Sequence, residues 1–225
     1  TGVADQRTLD KINEIINSPL QKGKRNNQIV DLKRQLNWSG YGNISETNYF
    51  GSFMEKKVKE FQADHGLPVS GIIDNKTKQK IQTNFSKIYQ RGSRHPKIID
   101  VKKLLNNNGF GNIKLTNLYG SFTEKQVKEF QKYYGLKATG KVDLNTLNQL
   151  IKIDKQSFRQ GQRHQNIVDI KKKLTKLGFG HIKEPNLFGS YMEKRVKDFQ
   201  RYYGLKVTGV ADQRTLDKIN EIINS

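Results

Sequence analysis

Few residues in this chain could do covalent or metal chemistry. The four histidines are His65, His95, His164 and His181. None belongs to a His-x-x-x-His or His-Glu-x-x-His pair, the spacing that sets two imidazoles on one helix face for zinc. His181-Ile182-Lys183-Glu184 is a lone loop pair, not a ligand set. The 225 residues contain no cysteine, which removes disulfides, thiolate metal sites and thiol nucleophiles. No Gly-x-Ser-x-Gly or phosphate-cradling glycine loop occurs. Glu55, Glu124 and Glu193 recur and could suggest acid–base work. Each stands three places after a serine (Ser52, Ser121, Ser190), so the sequence predicts a helix capping box, which accounts for them. The reading is of a chain with no catalytic residue, metal or cofactor.

Residues suited to binding are better represented. Lys and Arg total 41 against 21 acidic residues, a formal charge of +20. Such an excess predicts a polyanionic partner: nucleic acid, an anionic membrane surface, or a wall polymer such as teichoic acid. Arg25, Arg94 and Arg163 recur in basic stretches, with His95 and His164 beside the last two. A planar guanidinium suits carboxylate and phosphate. Tyr133 and Tyr202 occupy a place held by Asp64 in another copy, so that place is not fully buried, and the rings could stack on sugar. Their neighbours Tyr134 and Tyr203 lean further toward the core. Lys59, Lys128 and Lys197 follow a buried valine and are expected to face solvent as an aligned strip. No run of about 18 apolar residues appears that could span a bilayer.

These candidates come in threes because the chain repeats. Gly51, Gly120 and Gly189, Phe61, Phe130 and Phe199, and Gly71, Gly140 and Gly209 all step by 69 positions without a gap. The expected units are 19–87, 88–156 and 157–225, preceded by a partial repeat, 1–18. Thr1–Ser18 is identical to Thr208–Ser225, whereas the corresponding tails of the other copies differ. Identity that returns only after three units points to a parent built from blocks of three, of which this chain would be an excerpt.

One unit of 69 residues holds a modest core. In the third copy, Ile167, Ile170 and Leu174 predict a helix over about 166–177, ended by Gly178. A loop from Gly180 to Gly189 follows, with a short extended piece at 186–188. A second helix starts at Ser190, buries Val196 and Phe199, and stops at Gly204-Leu205. A third is capped by Asp212 and turns Leu216, Ile219, Ile222 and Ile223 inward. The opening segment carries the same face as Leu9, Ile12, Ile15 and Ile16, which needs a cover: the next repeat or a neighbouring molecule. The basic stretches 89–96 and 158–164 read as short connections between beads in a semi-rigid row.

The order Gly189, Val196, Phe199-Gln200, Gly204-Leu205, Gly209, Asp212, Thr215, with its counterparts 69 and 138 positions earlier, resembles the peptidoglycan-binding-like domain. That family is a three-helix wall-targeting module often joined to bacterial cell-wall hydrolases. The resemblance implies a mainly all-α fold of tandem three-helix modules. It also implies non-catalytic binding of peptidoglycan glycan, stem peptide or an anionic wall polymer, at the wall and outside the cell. Lys33, Lys102 and Lys171 replace a frequent glutamine of the family, and Lys57, Gln126 and Arg195 a frequent alanine. The extra lysines are expected to turn binding toward anionic polymers. A structural or adhesive spacer is the second reading, and nucleic-acid binding ranks last. Self-association through the first helix is a further expectation.

Overall fold

The computed structural model describes residues 5–183 and 186–225. It holds ten helices among them: α1 (Gln6–Ile16), α2 (Gln28–Trp38), α3 (Ser52–Asp64), α4 (Asn75–Ile88), α5 (Ile98–Asn107), α6 (Ser121–Tyr133), α7 (Leu144–Gln156), α8 (Gln165–Lys176), α9 (Ser190–Tyr202) and α10 (Gln213–Asn224). The fold is all-α, a three-helix module in tandem copies. The first helix of each module packs on the third: α2 on α4, α5 on α7, α8 on α10. The chain forms two compact units, Thr1–Lys97 and Ile98–Ser225.

Local chemistry explains the helix limits. Asp5, Asp74, Asp143 and Asp212 cap their helices, each accepting from the backbone N–H of the threonine three places on, at 2.8–2.9 Å. Helices α3, α6 and α9 end as expected: Gly66, Gly135 and Gly204 take positive φ. The next leucine then folds back, Leu205 N donating to Gln200 O at 2.7 Å.

The predicted capping box does not form. The N-caps of α3, α6 and α9 are Gly51, Gly120 and Gly189, with no side-chain cap, and each serine is already the first helical residue. One residue of register moves the glutamate out of reach of the cap. Glu55 pairs instead with Lys59 (3.0 Å) and Lys22 (3.2 Å), Glu124 with Lys128 (2.8 Å), and Glu193 with Lys197.

Each core is small and closed by one buried glutamine. Phe50, Val58, Phe61 and Ile81 are wholly buried in the first copy, and Phe188, Val196 and Phe199 in the third. Gln131 Nε2 donates to Lys141 O (2.8 Å) and Thr146 Oγ1 (3.0 Å), while Gly140 N donates to its Oε1 (2.8 Å). Gln62 and Gln200 repeat this pattern, tying the second helix to the turn before the third.

The stretches read as connections are folded into the modules. Phe158 is buried and exchanges two backbone hydrogen bonds with Ala211. Tyr89 is wholly buried and its hydroxyl donates to Trp38 O at 2.5 Å. The expected extended piece is present: Leu187 pairs antiparallel with Arg163, and Tyr49 with Arg25.

Candidate functional site

In the first two modules a buried lysine holds the loop between the first and second helices. Lys33 Nζ donates to Thr47 O (3.0 Å), Thr47 Oγ1 (3.1 Å) and Tyr49 O (2.6 Å). Lys102 Nζ does the same to Lys114 O (3.1 Å), Thr116 O (2.9 Å) and Thr116 Oγ1 (3.0 Å). Both lysines, and Lys171, are buried, and burial pulls the Lys33 and Lys102 ammonium groups below the ordinary lysine value. The expectation that these lysines attract an anionic polymer is therefore corrected: Lys33 and Lys102 spend their donors on loop carbonyls.

A second clamp differs between copies. Asn37 and Asn106 each bridge both backbone groups of an isoleucine, Ile44 and Ile113, at 2.7–3.0 Å. The third copy has Thr175 there, which donates to Gly180 O instead (2.9 Å). Ile182, the counterpart of those isoleucines, is only partly buried. A groove of about 290 Å³ lies beside it, between Lys183, Leu187 and Tyr191. A wider one of about 500 Å³ lies against Lys172, Thr175 and Lys176 of α8. Glu184, from the His181 loop pair, lies outside the described residues. Among the described residues no group of three His, Asp or Glu side chains could hold a metal ion.

The structure adds three rings that the sequence reading passed over. Phe53, Phe122 and Tyr191 lie on the first turn of the second helix and are about half exposed (52%, 50% and 49%). The signal was available: an aromatic residue at the 69-residue step, one place before a buried residue, lies on the outer side of the turn. Lys57 Nζ is 5.6 Å from the Phe53 ring and the Arg195 guanidinium 5.1 Å from Tyr191. These are two of the residues that stand where the family often has alanine.

The named candidates fall into four groups. Arg25 and Arg163 are exposed strand-pairing residues held by Asn48 and Asn186 at 3.1 Å, and Arg25 also lies over Tyr49 (5.0 Å). Arg94 is exposed. His95 and His164 accept from backbone N–H groups two residues on, Lys97 N (3.2 Å) and Asn166 N (3.1 Å). His164 thereby caps α8, and burial with nearby Lys97 holds the His95 imidazole below its usual pKa. Lys59, Lys128 and Lys197 are committed to their glutamates and lie across Gly71, Gly140 and Gly209.

The tyrosines are where their types placed them, but their surroundings differ. Tyr134 and Tyr203 are half-buried against Phe130 and Phe199 (4.7 Å each). Tyr202 is 76% exposed and Tyr133 48%. Tyr133 is less open because Arg214, from the third copy, lies across it. That guanidinium sits 4.1 Å from the Phe110 ring and 5.5 Å from Tyr133, and Nη2 donates to Asn108 O at 3.1 Å. The expected tyrosine platform is thus filled in one copy and open in another, while the first copy has Asp64, bonded to Tyr41 (3.0 Å).

Residues 25–81, 94–150 and 163–219 each match the family described as a peptidoglycan binding domain. The relatives include a CtpA-like serine protease from each of two strains of Staphylococcus epidermidis. Each is 35% identical over 68 residues, 30% of this chain. The chain spans about 14% of the length of those relatives. Three matches covering most of the sequence place this chain in the peptidoglycan binding domain family, as a tandem array of three copies.

Proposed function

We propose that the chain is a non-catalytic, multivalent cell-wall binder that holds a larger protein at the bacterial wall, outside the cell. The observation that carries this is the half-exposed ring at one place in three matched domains: Phe53, Phe122 and Tyr191. A ring face exposed beside aliphatic and basic groups can stack on a sugar while cations meet stem-peptide carboxylates. Each contact is weak alone, and tethering raises the effective concentration of the next. The grooves by Lys172, Lys176 and Lys183 and the +20 charge add affinity for teichoic acid, a contribution that salt screens. A protease named among the relatives, of which the matched 68 residues are 14%, supports an arrangement in which these domains deliver an enzyme to the wall.

The test is co-sedimentation of the full chain with purified walls, with and without teichoic acid. Single alanine substitutions at Phe53, Phe122 and Tyr191 should each weaken binding roughly tenfold, and the triple variant more than a hundredfold. Retention of wild-type binding by the folded triple variant would overturn the reading. The Arg214 contact between copies favours a second reading, a structural spacer. In that case the chain would stay indifferent to walls with every ring in place.

A further inference from the structure

We propose that the first copy binds a primary ammonium group in an open cavity beside Asp64. The ammonium would be carried by a wall peptide with a free amino group or by an aminoacyl ester on teichoic acid. This deepens the wall-binding reading above and rests on it. The cavity, of about 570 Å³, lies between the end of α2, α3 and the end of α4, and its lining includes Ser39, Tyr41, Lys57, Asp64, His65 and His95.

The same place already takes a cation elsewhere in the chain. Its counterpart 69 positions on, with Asn108, Phe110 and Tyr133, receives the Arg214 guanidinium. That guanidinium arrives with its own counter-ion, Asp212 Oδ2 at 3.0 Å, so the groups receiving it are neutral. The first copy reverses the arrangement. Asp64 stands where Tyr133 does and puts the carboxylate into the lining itself. A cation that brings no counter-ion can then be held there.

The remaining groups leave that carboxylate to a ligand. Asp64 is exposed and accepts the Tyr41 hydroxyl at 3.0 Å, a neutral partner that does not compensate its charge. Lys57 is paired with Glu60 at 2.7 Å. His95 is held below its usual pKa by burial and Lys97, so it adds no charge at neutral pH. Ser39 is 8% exposed, and its Oγ has no hydrogen-bond partner among the described residues. Its counterpart Asn108 accepts from Ser157 Oγ at 2.9 Å, but Ile88 stands at the place of Ser157 and has no such donor. The walls are set in advance: Tyr41 packs edge-on to Phe61 (5.1 Å), and His65 stacks on Phe61 (4.1 Å). An ammonium has three donors, which suits a carboxylate, a hydroxyl oxygen and an aromatic face in one recess.

The experiment titrates the full chain with glycinamide and, separately, N-acetylglycinamide, followed by the imidazole proton resonances of His65 and His95. Glycinamide should shift both resonances saturably in the millimolar range, and the uncharged acetyl form should not. Asp64→Asn, at an exposed position where the other copies carry tyrosine, should stay folded and bind glycinamide at least about fivefold more weakly. Equal shifts from the two probes, or full binding by Asp64→Asn, would overturn the proposal. A second arm uses purified walls whose amino groups have been acetylated. Acetylation makes a wall more anionic, so a chain of charge +20 that acted by charge alone would bind it more tightly. The wild type should instead bind about threefold more weakly, and Asp64→Asn no more weakly than before. If the weakening persists on walls stripped of teichoic acid, the amine belongs to the peptide; if it vanishes, to the ester. Binding that needs Phe53, Phe122 and Tyr191 but ignores acetylation would remove the ammonium site and leave the wall-binding reading standing.

Discussion

Tyr119 shows how much one hydroxyl can carry inside so small a core. It occupies the place of Phe50 and Phe188, is fully buried, and donates to Gly140 O at 2.8 Å. Burial, with Glu124 nearby, pushes its phenol well above the ordinary value of 10.0. The sign follows from linkage: the unfolded chain releases this proton first, so stability is held below pH 10 and falls as the pH rises above it. Tyr119→Phe should cost at most about 1.5 kcal/mol at neutral pH. It should also flatten the loss of stability above pH 10, read from denaturant midpoints. A decline as steep as the wild type's would show that Tyr119 is not its source. At this scale sequence and structure agree best where a side chain bonds its own neighbourhood, as Asp212 does at its helix start. They part at Ser190 and Glu193, where a shift of one residue in the helix start converts a cap into a salt bridge.

The elements were legible because apolar spacing and glycine stops are local properties. Ile167, Ile170 and Leu174 mark one helix face, and Gly204-Leu205 one helix end, without any tertiary knowledge. The roles of Lys33 and Lys102 were not legible, since their partners lie 14 to 16 and 12 to 14 residues away in a loop without regular pattern. A lysine on a helix reads as solvated until the loop carbonyls converge on it. Lys102→Ala should leave those carbonyls unsatisfied and cost about 2–3 kcal/mol in chemical denaturation. Below its melting point the variant should still bind walls as the wild type does. Lost binding with stability unchanged would return Lys102 to the list of ligand contacts. The exposure of Phe53, Phe122 and Tyr191 was not legible for a related reason: it depends on the helix start, which the glycine caps set one residue away from the predicted capping box.

At the scale of the molecule, the three domains share a fold but not a surface. The second copy lends its tyrosine platform to Arg214, the third keeps it open, and the first has replaced it with Asp64. Arg214→Ala should loosen the second and third copies from each other. Amide exchange should quicken at residues 108–110 and at the start of α10, while the cores of both copies keep their protection. Unchanged exchange at 108–110 would mean that the guanidinium adds nothing to the junction. Gly109 carries the remaining consequence. Its positive φ is shared by Gly40 and Gly178 at the same place, and the space beside it is filled by Arg214, where the first and second copies have Lys76 and Asn145. The array therefore has a syntax: swapping the second and third domains would preserve every fold and every ring while breaking the sentence they spell.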